Sequence, residues 1–420
     1  MSRDEHAAGC QTAGFRDRRS AYAREPKVWT PDLLEKVEWR KRAAAEPFRG
    51  LANAHGVTPG LFPLKQTGAD VSGATRAVED YLSSLTEAEL AEGRFAMDHQ
   101  SWRHWANGAR YFLRHGLCLE DFGEEKRHLA LDVVRASLSH AGFTQVTDLM
   151  HLNRTIGELR DELDLLNEWL YWFSVYGTPE KGEPWGWQLD GHHVNVNCVF
   201  VGDQVTLTPA FLGAEPVTAA GGKYAGTQAF RQEEAAGFEF FANLNDAQQA
   251  EARIADTLPP DLFAGAFRDN FELNYEGLRL DKLSSEQFAA AVDLIGLYVG
   301  RAAEGHARAR MAEVQQHASQ THFAWVGDGT PGGVFYYRIH SPVILIEFEH
   351  QAGVLFDNDE PSRRHIHTVV RTPNGNDYGI DLLRQHHERH HAGPDRLAAR
   401  ERRTAGPDRA DGKGRTDGTR

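Results

Sequence analysis

Three short stretches place histidine or carboxylate side chains where a strand would normally be apolar. "DGHHVNVN" (190–197) sets His192 beside His193. "RRHIHTVVR" (363–371) holds His365 and His367 two residues apart. On a strand, that spacing puts both imidazoles on one face, within reach of a single ion. "VILIEFEH" (343–350) interrupts an apolar run with Glu347 and Glu349. Burying a carboxylate beside Ile346 and Phe348 is costly unless a cation pairs with it. Imidazole and carboxylate ligation together suits zinc, iron or manganese. The candidate ligands are therefore His192, His193, Glu347, His365 and His367. Each has a plainer alternative: a core histidine bonded to a carbonyl, or an edge strand with its acids in water.

Other side chains around these stretches could serve the same chemistry. Asp190 or Asp377 could act as base or orient a ligand. Arg371, on the face of His365 and His367, could hold an anionic group, as could Arg338. Trp187, Asn195, Arg338 and His386 are candidates for the substrate side. For Asp377 the alternative is helix capping, and for His386 a solvated helix face. Trp102, Arg103, Trp105 and Asn107 in "SWRHWANG" (101–108) are expected to be structural.

These residues need elements to position them. Helical signal runs through 72–85, then 86–97, where Thr86 and Glu89 have capping-box spacing. It continues through 124–142, with Gly142 as a stop, and 154–177 up to its aromatic end. "WQLDGHHVNVNCVF" (187–200) then reads as one strand, joined to "DQVTLTP" (203–209) by a hairpin at Val201–Gly202. Helices are expected again at 231–244, 284–300 and 303–318. A second β block covers 321–328, 332–340, 342–350 and 363–371, and a last helix 378–391. Two β blocks (about 183–210 and 321–372), each following helices, bury their faces most simply in one mixed, mainly antiparallel sheet, an α+β domain over 26–390. A split near 225 is the alternative. Residues 1–25 and 391–420 are too polar to offset ordering entropy and are expected to be disordered.

On a continuous strand, successive residues face opposite ways. His192 would then share an apolar face with Val194, Val196 and Cys198, and His193 a wet face with Asn195 and Asn197. The sequence thus predicts that His193, His365 and His367 converge. His192 would be a ligand-orienting or core residue, and a bulge at Gly191 would exchange the two roles.

The composition narrows the function. With 46 basic and 60 acidic residues in 420, the net charge of −14 argues against a nucleic-acid partner. Three scattered cysteines fit a reducing compartment. No apolar run suggests a secretory signal or a membrane span, so a cytoplasmic location without a membrane partner is expected. There is no P-loop, no G-x-G-x-x-G after a strand, no G-x-S-x-G and no H-E-x-x-H, so no nucleotide cofactor is expected.

A set of motifs in fixed order carries a resemblance: "GLFPLKQTG" (60–68), "SWRHWANG" (101–108), "PWGWQLDGHHVNVN" (184–197), "TPAFLGAEP" (208–216), "YYRIHSPVILIEFE" (336–349) and "HIHTVVRTPNGNDYGIDLLRQHH" (365–387). Over about residues 55–388 the chain resembles the domain-of-unknown-function 3500 family. The resemblance implies one domain across both β blocks and supplies no activity. Many relatives look exported, a feature that this N-terminus does not share.

The expectation is a metal-dependent enzyme, a hydrolase acting on a small molecule through a metal-bound water. The alternatives are a non-haem iron or cupin-like oxidoreductase, with "PWGW" and "YYR" lining the pocket, and a non-enzymatic ligand-binding protein with structural histidines.

Overall fold

The computed structural model describes residues 31–108, 113–179, 182–353 and 358–390. The expected disordered ends, 1–25 and 391–420, lie outside the described residues. Thirteen strands form one mixed sheet: β1 (Arg94–Phe95), β2 (Leu117–Cys118), β3 (Tyr171–Gly177), β4 (Trp185–Gly191), β5 (Val194–Val201), β6 (Gln204–Thr206), β7 (Ala210–Ala214), β8 (Arg253–Ala255), β9 (Leu278–Arg279), β10 (His322–Val326), β11 (Tyr336–His340), β12 (Leu345–Ala352) and β13 (Pro361–Arg371). The spatial order is β1-β3-β4-β5-β7-β13-β12-β11-β10-β8, with β2 on β3, β6 on β5 and β9 on β10. Apart from the parallel pairs β1–β3 and β8–β10, neighbours run antiparallel. Both β blocks therefore share one sheet, as the sequence predicts. The seam is β7, which pairs with β5 on one side and β13 on the other.

The helices are α1 (Pro31–Ala45), α2 (Ser72–Ser83), α3 (Glu87–Gly93), α4 (Glu124–Ser137), α5 (His140–Arg160), α6 (Arg231–Ala242), α7 (Asp246–Ala252), α8 (Ser285–Val299), α9 (Glu304–Gln316) and α10 (Ile380–His390). With the sheet they make an α+β fold. Thr86 and Glu89 form the expected capping box at α3, and Ser284 with Gln287 forms another at α8.

Two boundaries differ from expectation. Gly142 does not end a helix. Ser139 caps a new one, accepting from Gly142 N, and α5 runs to Arg160. Its backbone presses on the Arg301 carbonyl, where a Cβ would stand 2.2 Å away, so this glycine serves close packing. The helix of 154–177 also stops early, at Asp161 in the left-handed conformation (φ 55°). The aromatic segment Tyr171–Gly177 is the strand β3, where alternating bulky side chains pack against a pleated surface.

The two faces of the sheet are covered differently. On one, Trp187 donates to Ser137 Oγ of α4, and Tyr337 meets Glu233 of α6 and Tyr298 of α8. The other carries Asp190, Arg338, Glu347 and Arg371, and the segment 101–108, which begins in a 3-10 helix (Gln100–His104), and the irregular segment 261–271 cover it. Apolar helix stripes bury one side by area, whereas the loops on the other are held by hydrogen bonds to strand side chains. The polar constellations of the sequence lie on this loop-covered face.

Candidate metal centre

The stretch read as one strand is a hairpin. Gly191 pairs with Val194, so His192 and His193 are the two residues of a tight turn between β4 and β5. His193 takes up the left-handed backbone conformation, φ 63°, a position that usually falls to Gly or Asn. A bulky residue there points to a demand beyond folding. Turn residues do not alternate between faces, so both imidazoles lie together, stacked with centroids 3.9 Å apart. His192 Nδ1 bonds to Asn153 Oδ1 of α5 at 2.8 Å, which turns its ring away from a ligand role and against His193.

His193 meets the β13 histidines across β7. One ligand nitrogen each from His193, His365 and His367 lies within 4.8 Å of the others, and all three residues are buried. Gly213 of β7 makes this possible. A Cβ there would stand 2.8 Å from His367 Cδ2 and 3.0 Å from His193 Cδ2, so a side chain would force the rings apart. The outer ring nitrogens are anchored: His365 Nδ1 lies 2.7 Å from the Ala352 carbonyl, and His367 Nδ1 lies 3.2 Å from Glu349 Oε1. With those nitrogens donating, both Nε2 lone pairs point inward, and the two Nε2 atoms are 2.9 Å apart. Burial, together with the neighbouring imidazoles, holds His193 and His367 well below the ordinary imidazole range. Burial lowers His365 too, against the pull of Glu215. The three rings are thus neutral, the form that ligates.

The sequence pointed to Glu347, yet the structure does not bring it to the histidines. Its carboxylate accepts from Phe263 N (2.9 Å), Ala264 N (2.7 Å) and Tyr336 Oη (2.7 Å). Register decides which acid is near: Glu347 stands opposite Val369, whereas Glu349 stands opposite His367. Glu349 and Asp261, of the 261–271 segment, form a second group of possible donors with His367. Burial first, then Asp261 and Glu347, pushes the Glu349 carboxyl well above its usual range.

Asp190 and Arg371 are committed elsewhere. Asp190 forms a buried pair with Arg114 (2.6 Å) and accepts from Ala106 N (3.1 Å). Arg114 in turn donates to the Ala106 and Gly108 carbonyls. The pair thereby fixes Asn107, whose Oδ1 accepts from His193 N (3.1 Å) and whose Nδ2 lies 3.3 Å from His367 Nε2. Expected to be structural, Asn107 instead touches the cluster. Arg371 donates to Asp377 (2.8 Å), Asp269 (2.7 Å) and the Ala264 carbonyl (2.9 Å). Asp377 spends its other oxygen on Thr372 N. Arg103 reaches Asp269 and the carbonyls of α1, and Trp102 and Trp105 are core residues. Trp187 lies on the opposite face of the sheet from Asp190 and Arg371, buried against α4. Asn195 is fully buried beside Asp190. Arg338 bonds to Glu276. His386 stays in α10, in ring contact with His387 and His390.

Residues 67–380 match the family described as "Protein of unknown function (DUF3500)". The chain belongs to the domain-of-unknown-function 3500 family. In this member, the matched span contains every residue of the cluster: Asn107, His193, Gly213, Asp261, Glu349, His365 and His367. No curated protein and no solved structure matches the chain. Among the described residues, no helix is long and apolar enough to cross a membrane.

Two residues of the cluster had a weak signal in the sequence. Glu349 shares a face with Glu347, so the alternation offers both acids and only the pairing register selects one. Asn107 sits in a tryptophan-rich motif that reads as packing. Asp261, in "LPPDLFAG" (258–265), has no periodic neighbours to mark it.

Proposed function

We propose that the protein is a metal-dependent hydrolase whose divalent ion is held by His193, His365 and His367. The carrying observation is the pair of inward-facing Nε2 atoms, 2.9 Å apart, with each Nδ1 tied to an acceptor. Two facing lone pairs repel unless a cation or a proton lies between them. Two nitrogens ligating one ion at about 2.0–2.1 Å would stand roughly 3 Å apart. A ligating histidine usually gives its other N–H to a carbonyl or carboxylate, as both β13 histidines do here. When bound, the ion supplies a water of lowered pKa and polarises the substrate's carbonyl or phosphoryl oxygen. The chain's own residues do the rest. Glu349 and Ala352 fix the ring orientations, Gly213 lets the rings meet, and Asn107 offers an amide to a substrate oxygen. The buried thiol of Cys198 supports a cytoplasmic setting.

Metal analysis of the purified full chain tests the proposal. About one equivalent or more of zinc, manganese or iron is expected, together with hydrolysis of an ester, amide or phosphoester panel that chelation abolishes and metal restores. Less than roughly a tenth of an equivalent under metal-replete expression would support the non-enzymatic reading instead. An iron oxidoreductase is favoured by one feature, the Glu349 carboxylate beside His367, which makes a mixed imidazole and carboxylate set. Oxygen consumption after anaerobic Fe(II) loading separates that reading from hydrolysis.

A further inference from the structure

His367 belongs to two donor groups at once. One ligand atom each from Asp261, Glu349 and His367 lies within 4.8 Å of the others, as in the three-histidine group. The two nitrogens of the His367 ring serve different sides. Nε2 faces His365 Nε2 at 2.9 Å, and Nδ1 faces Glu349 Oε1 at 3.2 Å. Glu349 gives an independent sign that something is to be held there. Its side chain is 1% exposed, and its Oε2 is buried with no hydrogen-bond partner. A carboxylate oxygen cut off from water is costly unless a proton or a cation balances it. Asp261 adds like charge at the same point. Its side chain is exposed, so the group opens to solvent and an ion can enter from that side.

We propose that Asp261, Glu349 and His367 Nδ1 form a second divalent-cation position, joined to the three-histidine position through the His367 ring. The inference rests on the metal reading above, since it assigns the other nitrogen of the same ring to the inner ion. One nitrogen and two carboxylates suit zinc, manganese or iron(II). Filling the outer position displaces the Nδ1 proton to solvent, and with both positions filled the ring bridges as imidazolate. Two carboxylates and one imidazolate then offset most of the charge of the two ions. With ligand bonds of about 2 Å on either side of one ring, the ions would lie roughly 6 Å apart. That is wider than the roughly 4 Å of two-metal sites that clamp one transferring group. The outer ion is therefore placed to hold an anionic group of the substrate while the inner ion serves the reacting oxygen.

Zinc titration of the metal-stripped full chain, read by calorimetry and elemental analysis, tests this. Two equivalents are expected for the natural sequence. Asp261→Asn should retain one equivalent. His193→Ala should also retain one, by way of the outer position. One equivalent in the natural chain, unchanged in Asp261→Asn and lost in His193→Ala, would overturn the outer position and leave the inner one standing. No bound zinc in any variant would overturn both.

Discussion

Strand β13 carries two buried polar clusters, and they are built in opposite ways. At its end, Arg371 is fully buried and spends its guanidinium on Asp377, Asp269 and the Ala264 carbonyl. Asp269 also takes Arg103 and the Tyr378 hydroxyl. Each charge in that network has an opposite charge beside it. Four and six residues earlier, His367 and His365 turn nitrogen toward nitrogen, with His193 opposite and a partnerless oxygen on Glu349 nearby. A closed network with its charges matched can only hold the fold together. A cluster of converging acceptors has a place for a cation or a proton between them, so this is where the proposed chemistry is to be sought. Both contain residues that sequence reasoning assigned to one site.

The contrast can be broken most severely at Arg371. Arg371→Met leaves Asp269 and Asp377 buried beside an apolar chain, and breaking a buried pair costs about 3–5 kcal/mol. Urea unfolding should show that loss. A change below about 1 kcal/mol would mean that Arg371 is not a structural hub.

The next largest effect is on metal. His365→Ala should remove the inner ion, so elemental analysis should read one equivalent fewer than in the natural chain. The metal-free protein should lose less stability than with Arg371→Met, because no charge is left unpaired. Metal content unchanged from the natural chain in His193→Ala, His365→Ala and His367→Ala alike would refute the cluster as a centre.

Groups that orient ligands should matter less. Glu349→Gln keeps the shape but weakens the hold on His367 Nδ1. Metal affinity should fall by about 10–100-fold, the usual range for such partners. Asn107→Ala should act in the same direction, and equal affinities in competition with a chelator would remove both residues from the centre.

The pH dependence follows from the lowered imidazoles. Their folded values lie below the ordinary 6.5, so they stay neutral as pH falls through that value. Metal should therefore be retained at pH 6 and released only further into the acid range. In the metal-free protein the unfolded chain binds more protons in that same window, so stability is full above about 6.5 and declines as pH falls. Metal loss centred at 6.5 would show that the rings are not buried as described. The smallest effect is expected from Glu347→Gln, which should leave metal content unchanged because that carboxylate is occupied by Phe263, Ala264 and Tyr336.

Residue types and local periods are legible along the chain. The H-x-H spacing put His365 and His367 on one face, because strand side chains repeat every two residues. The capping box at Thr86 was legible because it depends on a neighbour three residues away. Two β blocks, each following helices, made a shared sheet the simplest solution, against a split near 225. The rest depends on partners distant in the chain. Whether Glu347 or Glu349 meets His367 is a matter of antiparallel register, set by pairing across the β12–β13 connection. Whether His192–His193 continues a strand or turns depends on β4 and β5 pairing with each other, which the alternating run "HVNVN" does not reveal. Arg371 looked like an anion clamp because its two carboxylates, at 269 and 377, reach it from other segments. Side-chain chemistry is local and can be read in one dimension, whereas occupancy of that chemistry is settled by contacts between segments far apart in sequence.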